Sequence, residues 1–272
     1  MSNLADAIFE HAHDDPTRVA VRTGDRVVTY GELRDLVASY AGQVAAAGIR
    51  PGDRVVLIAP TIPEFVAAYY GLHGAGAVLI TMNVMATAPE IAYVLEDAEA
   101  SLVVAWHQAT TAATKAGEER GLPVWTLGPL SEWLDDTPLR APVDRGDDKT
   151  AIIIYTSGTT GRPKGAELGV AGIFALVHAA RHQLRLDPAT DRTGTALPLF
   201  HVYGQLIVLH ISISLGVPVS LLHPFDPARM VAMIRDHQLT VVSGVPAMWI
   251  AMLHAAGDST PQDFARLRRA SS

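Results

Sequence analysis

Nearly unbroken runs of Val, Ile and Leu punctuate this chain, and they constrain its fold more than any other feature. Arg54–Ala59, Ala77–Ile80, Ser101–Ala105, Val124–Leu127 and Ala151–Tyr155 are short and dominated by apolar residues. A strand with one wet face alternates apolar and polar residues, whereas an unalternating one is covered on both faces, as in parallel sheets. Helix signals lie between the runs. Thr29-Tyr-Gly-Glu32 and Thr87-Ala-Pro-Glu90 both have capping-box spacing, predicting helices to about Gly48 and about Asp97. Pro63 stands where a first helical turn tolerates proline. This alternation predicts an α/β fold, layered α-β-α with mostly parallel sheets.

Val19–Arg22 and Arg26–Thr29 flank Thr23-Gly24-Asp25 and predict an antiparallel hairpin. Later segments read as a helix to about Gln183, a strand near Thr195, an apolar helix, strands at Val217–Leu221 and Thr240–Val242, and a helix from Pro246. The stretch 135–148, rich in Asp, Pro and Arg, predicts a boundary between a first α/β subdomain over 1–140 and a second over 149–272.

Composition removes several function classes. Hydrophobic residues make up 49% of the 272 and charged residues 18%, below the usual quarter, so the chain should bury a sizeable core. Net charge is −7 with basic residues scattered, which leaves no footprint for nucleic acid or for an anionic membrane surface. There are no cysteines, which excludes disulfides and thiolate chemistry. Leu206–Leu222 lacks charge but contains His210, Gly216 and Pro218, and it is short for a membrane span. It reads as a buried helix and strand. The N-terminus carries no signal-peptide pattern, so the expected location is cytoplasmic, without stable membrane insertion.

The chemistry concentrates in Ile153-Ile-Tyr-Thr-Ser-Gly-Thr-Thr-Gly-Arg-Pro-Lys-Gly165. A buried strand runs into six small or hydroxyl residues, then a lysine, then an expected helix. Gly158 and Gly161 permit close backbone approach to an anion. Consecutive N–H groups in such a loop form an anion-binding concavity, and Thr156, Ser157, Thr159 and Thr160 add hydroxyls. Lys164 supplies a mobile positive charge, and the helix would add its N-terminal dipole. The Walker spacing, Gly, four residues, then Gly-Lys-Ser/Thr, is absent. The pattern is a polyphosphate cradle of another kind.

Tyr155-Thr-Ser-Gly-Thr-Thr-Gly-Arg-Pro-Lys-Gly165 resembles the signature of the AMP-binding, adenylate-forming superfamily. Gly74–Asn83 with Glu90–Asp97 is similar to its upstream core, and Leu197-Pro-Leu-Phe-His-Val-Tyr-Gly204 to the next motif of its acyl-CoA synthetase branch. The resemblance implies ATP, Mg2+ and coenzyme A as cofactors and a small carboxylic acid, fatty or aryl, as substrate. By position, Thr156, Ser157, Gly158, Thr159, Thr160, Gly161 and Lys164 would embrace the phosphates. Lys164 and His201 would be catalytic, and Phe200, His201, Tyr203, Val245 and Pro246 would contact the acid. His210 has no partner at metal-ligand spacing, so no protein-made metal site is expected. Peptide-synthetase adenylation domains usually carry a different segment around His201. An acyl-AMP ligase serving a carrier protein, or a non-catalytic nucleotide- or acyl-binding module, are the competing expectations.

This sequence also departs from the family. Gly169, Val170 and Gly172 replace the usual polar start of the next helix, and Pro224 stands where related ligases often have a basic residue near coenzyme A. Nothing matches the family's adenine, metal-glutamate and ribose segments or its mobile C-terminal domain. The expectation is therefore an N-terminal portion, inactive alone, that self-associates through exposed apolar surface or pairs with the missing portion.

Overall fold

The computed structural model describes residues 2–130, 133, 137–156, 161–257 and 259–272. Twelve strands and nine α-helices are assigned among them. Two six-stranded sheets organise the molecule. The first contains β12 (Arg269–Ser271), β11 (Val241–Ser243), β9 (Thr193–Thr195), β10 (Val219–Leu221), β1 (Val19–Thr23) and β2 (Arg26–Thr29), in that order. The second runs β6 (Val124–Leu127), β5 (Ala100–Trp106), β3 (Arg54–Ile58), β4 (Val78–Met82), β7 (Thr150–Thr156), β8 (Lys164–Gly169). Both are parallel except for one terminal antiparallel strand, β2 on β1 and β8 on β7. The α/β reading holds.

Each sheet is covered on both faces, as the unalternating runs predicted. Val55, Leu57 and Leu79 point into the main core while Val56, Ile58, Val78 and Ile80 point into a second core under α4 (Ala88–Asp97) and α5 (Thr110–Arg120). Helices α2 (Tyr30–Ala46) and α3 (Pro63–Gly74) lie in the main core, which also takes Val21, Val219 and Leu221 from the other sheet. Every residue of α3 is buried, as a helix sandwiched between two sheets requires. Gly71 makes that possible, since a Cβ there would lie 2.8 Å from Tyr40 Cβ. Both capping boxes form: Thr29 with Glu32 opens α2, and Thr87 with Glu90 opens α4.

The boundary expected between residues 140 and 149 does not coincide with the division into sheets. β1 and β2 join β9 to β12, and β7 and β8 join β3 to β6, so each sheet is assembled from both sides of it. Helices α1 (Asp6–Asp14), α5 and α8 (Pro227–Asp236) stand where no element was expected. One correction concerns Lys164. It opens strand β8, not a helix; α6 (Val170–Leu184) begins only after that strand. Lys164–Gly169 takes the free edge of β7 as an antiparallel partner, so the N-terminal dipole of α6 lies at the far end of β8 from the glycine-rich tip. Gly169 caps α6 without a side-chain hydrogen bond, consistent with the missing polar start. No helix among the described residues is long and apolar enough to cross a membrane.

Candidate active site

The β7–β8 hairpin carries the residues expected to form a phosphate loop. Its ladder pairs Tyr155 with Gly165 and Thr156 with Lys164, so Thr156 and Lys164 stand opposite each other at the mouth of the tip. Both are exposed. Ser157, Gly158, Thr159 and Thr160 lie outside the described residues. The tip re-enters at Gly161, whose φ of +93° is strained for any side chain. Gly165 is required for a different reason: a Cβ there would lie 2.8 Å from Ile153 Cγ2 and 3.3 Å from the Tyr155 ring.

Helix α4 flanks this hairpin. The Tyr93 hydroxyl donates to the Pro163 carbonyl at 2.8 Å, and the Arg162 guanidinium lies 5.7 Å from the Tyr93 ring centroid. The Tyr155 hydroxyl donates to Asp97 Oδ2 at 2.5 Å. Burial first, then the bond and charge of Asp97, push the Tyr155 phenol well above its ordinary range, so it remains a donor at any physiological pH.

A cavity of about 860 Å³ opens beside the hairpin, outside the carboxyl ends of β4 and β7, where open parallel sheets present ligand sites. Thr156 lines it together with Thr81, Tyr93, Arg162, Phe200 and His201. Two threonines fix the wall that carries Phe200 and His201. Thr61 Oγ1 donates to the Leu197 carbonyl at 3.0 Å and accepts from the Leu199 N–H at 3.2 Å. Thr81 Oγ1 donates to the Phe200 carbonyl at 3.0 Å. A Cβ on Gly204 would lie 2.5 Å from the Pro198 carbonyl oxygen, so this glycine lets the chain fold back on itself. The segment then enters a π-helical stretch, Tyr203–His210, continuous with α7 (Ile211–Leu215).

The structure therefore brings Thr156, Phe200 and His201 to one cavity. Tyr203, Val245 and Pro246 gather elsewhere, at the carboxyl edge of the first sheet. The Tyr203 hydroxyl donates to Ser271 Oγ at 3.1 Å, and Ser271 Oγ is 3.0 Å from Ser243 Oγ. Val245 precedes α9 (Pro246–Ala255), whose first residue is Pro246. Residues 197–203 connect the two groups. Sequence reasoning missed Thr61, Thr81, Tyr93 and Asp97. A signal existed for the last two: four residues apart, they share one face of the capped helix α4.

With this geometry in place, residues 8–272 match the AMP-binding enzyme family, and the chain belongs to it. Feruloyl-CoA synthase of Amycolatopsis sp is 35% identical over 89% of this chain and 48% of its own length. The fatty acid–[acyl-carrier-protein] ligase ScoC of Streptomyces coeruleorubidus is 31% identical over 99% of this chain and 53% of its own. Among solved structures, ATP-bound MatB from Rhodopseudomonas palustris superposes with a TM-score of 0.88 at 28% identity, covering 99% of this chain and 54% of that one. The chain thus spans about half the length of the curated relatives it matches.

Proposed function

We propose that this chain forms the phosphate- and acid-binding half of an AMP-forming acyl-CoA ligase. In the first step a carboxylate oxygen attacks the α-phosphorus of ATP; the bond to the bridging oxygen breaks, and acyl-adenylate and pyrophosphate result. In the second, the thiol sulfur of coenzyme A attacks the acyl carbon and AMP leaves, the thiol proton passing to solvent. The observation that carries this reading is the β7–β8 hairpin, with Thr156 and Lys164 at the mouth of its tip, beside a cavity walled by Phe200 and His201. N–H and hydroxyl donors of the loop, with the Lys164 ammonium, offset the charge that grows on the departing pyrophosphate. Phe200 and His201 hold the acid near the phosphates, and orientation supplies much of the acceleration. Tyr203, Val245 and Pro246 line the far part of the acid's path.

Among the described residues no group of three His, Asp or Glu could hold a metal ion. The competing reading, an acyl-AMP ligase that serves a carrier protein, draws support from the similarity to ScoC. ATP–pyrophosphate exchange with aryl and fatty acids, run on this chain and on any longer product of its gene, tests the first step. Exchange followed by thioester formation only on coenzyme A supports the ligase; thioester only on a carrier protein supports the alternative.

The curated relatives are about twice as long as this chain. We expect the 272 residues alone to bind ATP weakly and to release no pyrophosphate in response to acid. We also expect self-association or capture of a complementing polypeptide. Helix α9 exposes Ile250 by 57% and Leu253 by 77%, and β12 ends its sheet with no outer partner among the described residues. A monodisperse monomer in light scattering would sink this expectation.

A further inference from the structure

We propose that Tyr93 and Asp97 form a clamp by which helix α4 positions both legs of the phosphate hairpin, an inference that rests on the phosphate reading of that hairpin. Beyond the Thr156–Lys164 pair, the ladder has no further cross-strand partner among the described residues. Pro163 has no N–H to offer. Its carbonyl is held from outside, by the Tyr93 hydroxyl at 2.8 Å. The ring of Tyr93 also underlies the Arg162 guanidinium, so one side chain grips two consecutive residues of the outgoing leg. The incoming leg is gripped by Asp97, which accepts from the Tyr155 hydroxyl. Tyr93 and Tyr155 meet edge to face with centroids 6.4 Å apart, and the Tyr155 ring packs against the bare Cα of Gly165. The four side chains thus tie both strands to a single helix face, next to the cavity that Tyr93, Tyr155 and Arg162 also line.

Preorganised phosphate donors are effective because they need not reorganise on binding, so the clamp acts through the loop, as a positioning device. Tyr93→Phe removes one hydrogen bond and keeps the ring. Tyr93→Ala removes both grips, and Tyr155→Phe releases the incoming leg alone. Amide hydrogen exchange over residues 161–165, followed by mass spectrometry on the 272-residue chain, reads the effect directly. Tyr93→Phe should speed exchange there about fivefold, the factor to which a hydrogen bond of roughly 1 kcal/mol converts, with Tyr93→Ala larger and exchange in α3 unchanged. Affinity for ATP, by titration calorimetry, should weaken in the same order.

Unchanged exchange over 161–165 in both Tyr93 variants would overturn the clamp. Faster exchange with unaltered ATP affinity would overturn its positioning role. Lys164→Ala is the separate control for the underlying reading. If it binds ATP as the parent chain does, or if the parent binds none, the phosphate assignment fails, and exchange alone decides whether the clamp exists.

Discussion

Each sheet of this protein ends in one antiparallel hairpin, and the two hairpins differ in length and in what they contact. β1–β2 closes with Thr23 paired to Arg26 across Gly24-Asp25, and Gly24 supplies the positive φ of +53° that a turn this tight demands. One of its side chains ties it to structure: the half-exposed Arg26 reaches the buried Glu64 of α3 at 2.8 Å. β7–β8 occupies the matching edge of the other sheet, and its last rung among the described residues, Thr156–Lys164, is separated by seven residues of sequence rather than two. The difference in length fits the proposal made above, with β1–β2 as architecture and β7–β8 as the phosphate site.

The largest expected effect acts on both hairpins through the core they share. His73 and His210 are fully buried there, and burial pushes their pKa values down to about 3 and to about 4. His210 Nδ1 lies 3.1 Å from the Tyr70 hydroxyl, whereas His73 Nε2 has no partner among the described residues. Unfolded histidines take up a proton near pH 6.5, so below that the unfolded state binds protons that the folded state refuses. Stability is therefore complete above about pH 6.5 and falls as pH drops toward 4. Two such groups cost roughly 5 kcal/mol between pH 7 and 4.5. Urea denaturation at both pH values should show it, with a shallower pH slope in His210→Gln. An identical slope in that variant would refute the assignment.

Next come two substitutions that separate the hairpins. Lys164→Ala should weaken ATP binding about 10- to 100-fold, the loss of a charge-assisted hydrogen bond, with a melting temperature like the parent's, because Lys164 is exposed. Arg26→Ala should do the reverse. It leaves the Glu64 carboxylate, 7% exposed, without its cation, for a loss of about 1–3 kcal/mol of stability and no change in ATP affinity. Calorimetry and thermal melts on the same two variants make the contrast. Any crossover between the columns would break it.

How far the sequence foretold this follows from where its signals lie. Val55, Leu57 and Ile152 are buried on one face and Val56, Ile58 and Ile153 on the other, so unalternating strands announced covered sheets. The Thr-x-x-Glu boxes announced α2 and α4. Helix α5 gave no such signal because its buried face is Ala113, Ala116 and Gly117, small residues that pack closely without hydropathy. Helix α8 did carry one: Asp226 accepts from the Arg229 N–H and Pro227 follows it. Strand β8 was invisible. Lys-Gly-Ala-Glu-Leu-Gly has little strand propensity, and it is extended only because β7 offers it a ladder. Thr156, Phe200 and His201 were legible as neighbours through their motifs, but Tyr93 and Asp97 matter only once α4 lies beside the hairpin.

Glycine makes the finest cut between the two hairpins. At Gly24 an added Cβ would meet nothing within 4 Å, so Gly24→Ala costs only the left-handed backbone, about 1 kcal/mol, and its effect stays in stability. At Gly165 the same methyl would press on Ile153 Cγ2 and the Tyr155 ring. Tyr155 is held by Asp97, so it moves only by loosening that bond or by shifting the strand. Gly165→Ala should therefore cost about 1–2 kcal/mol by overpacking and, unlike Gly24→Ala, should also weaken ATP binding several-fold. If Gly165→Ala lowers the melting temperature while ATP affinity holds, the Tyr155 ring does not set the mouth of the tip. The long hairpin's ladder would then be as purely architectural as its short counterpart, with all the chemistry confined to residues beyond Thr156.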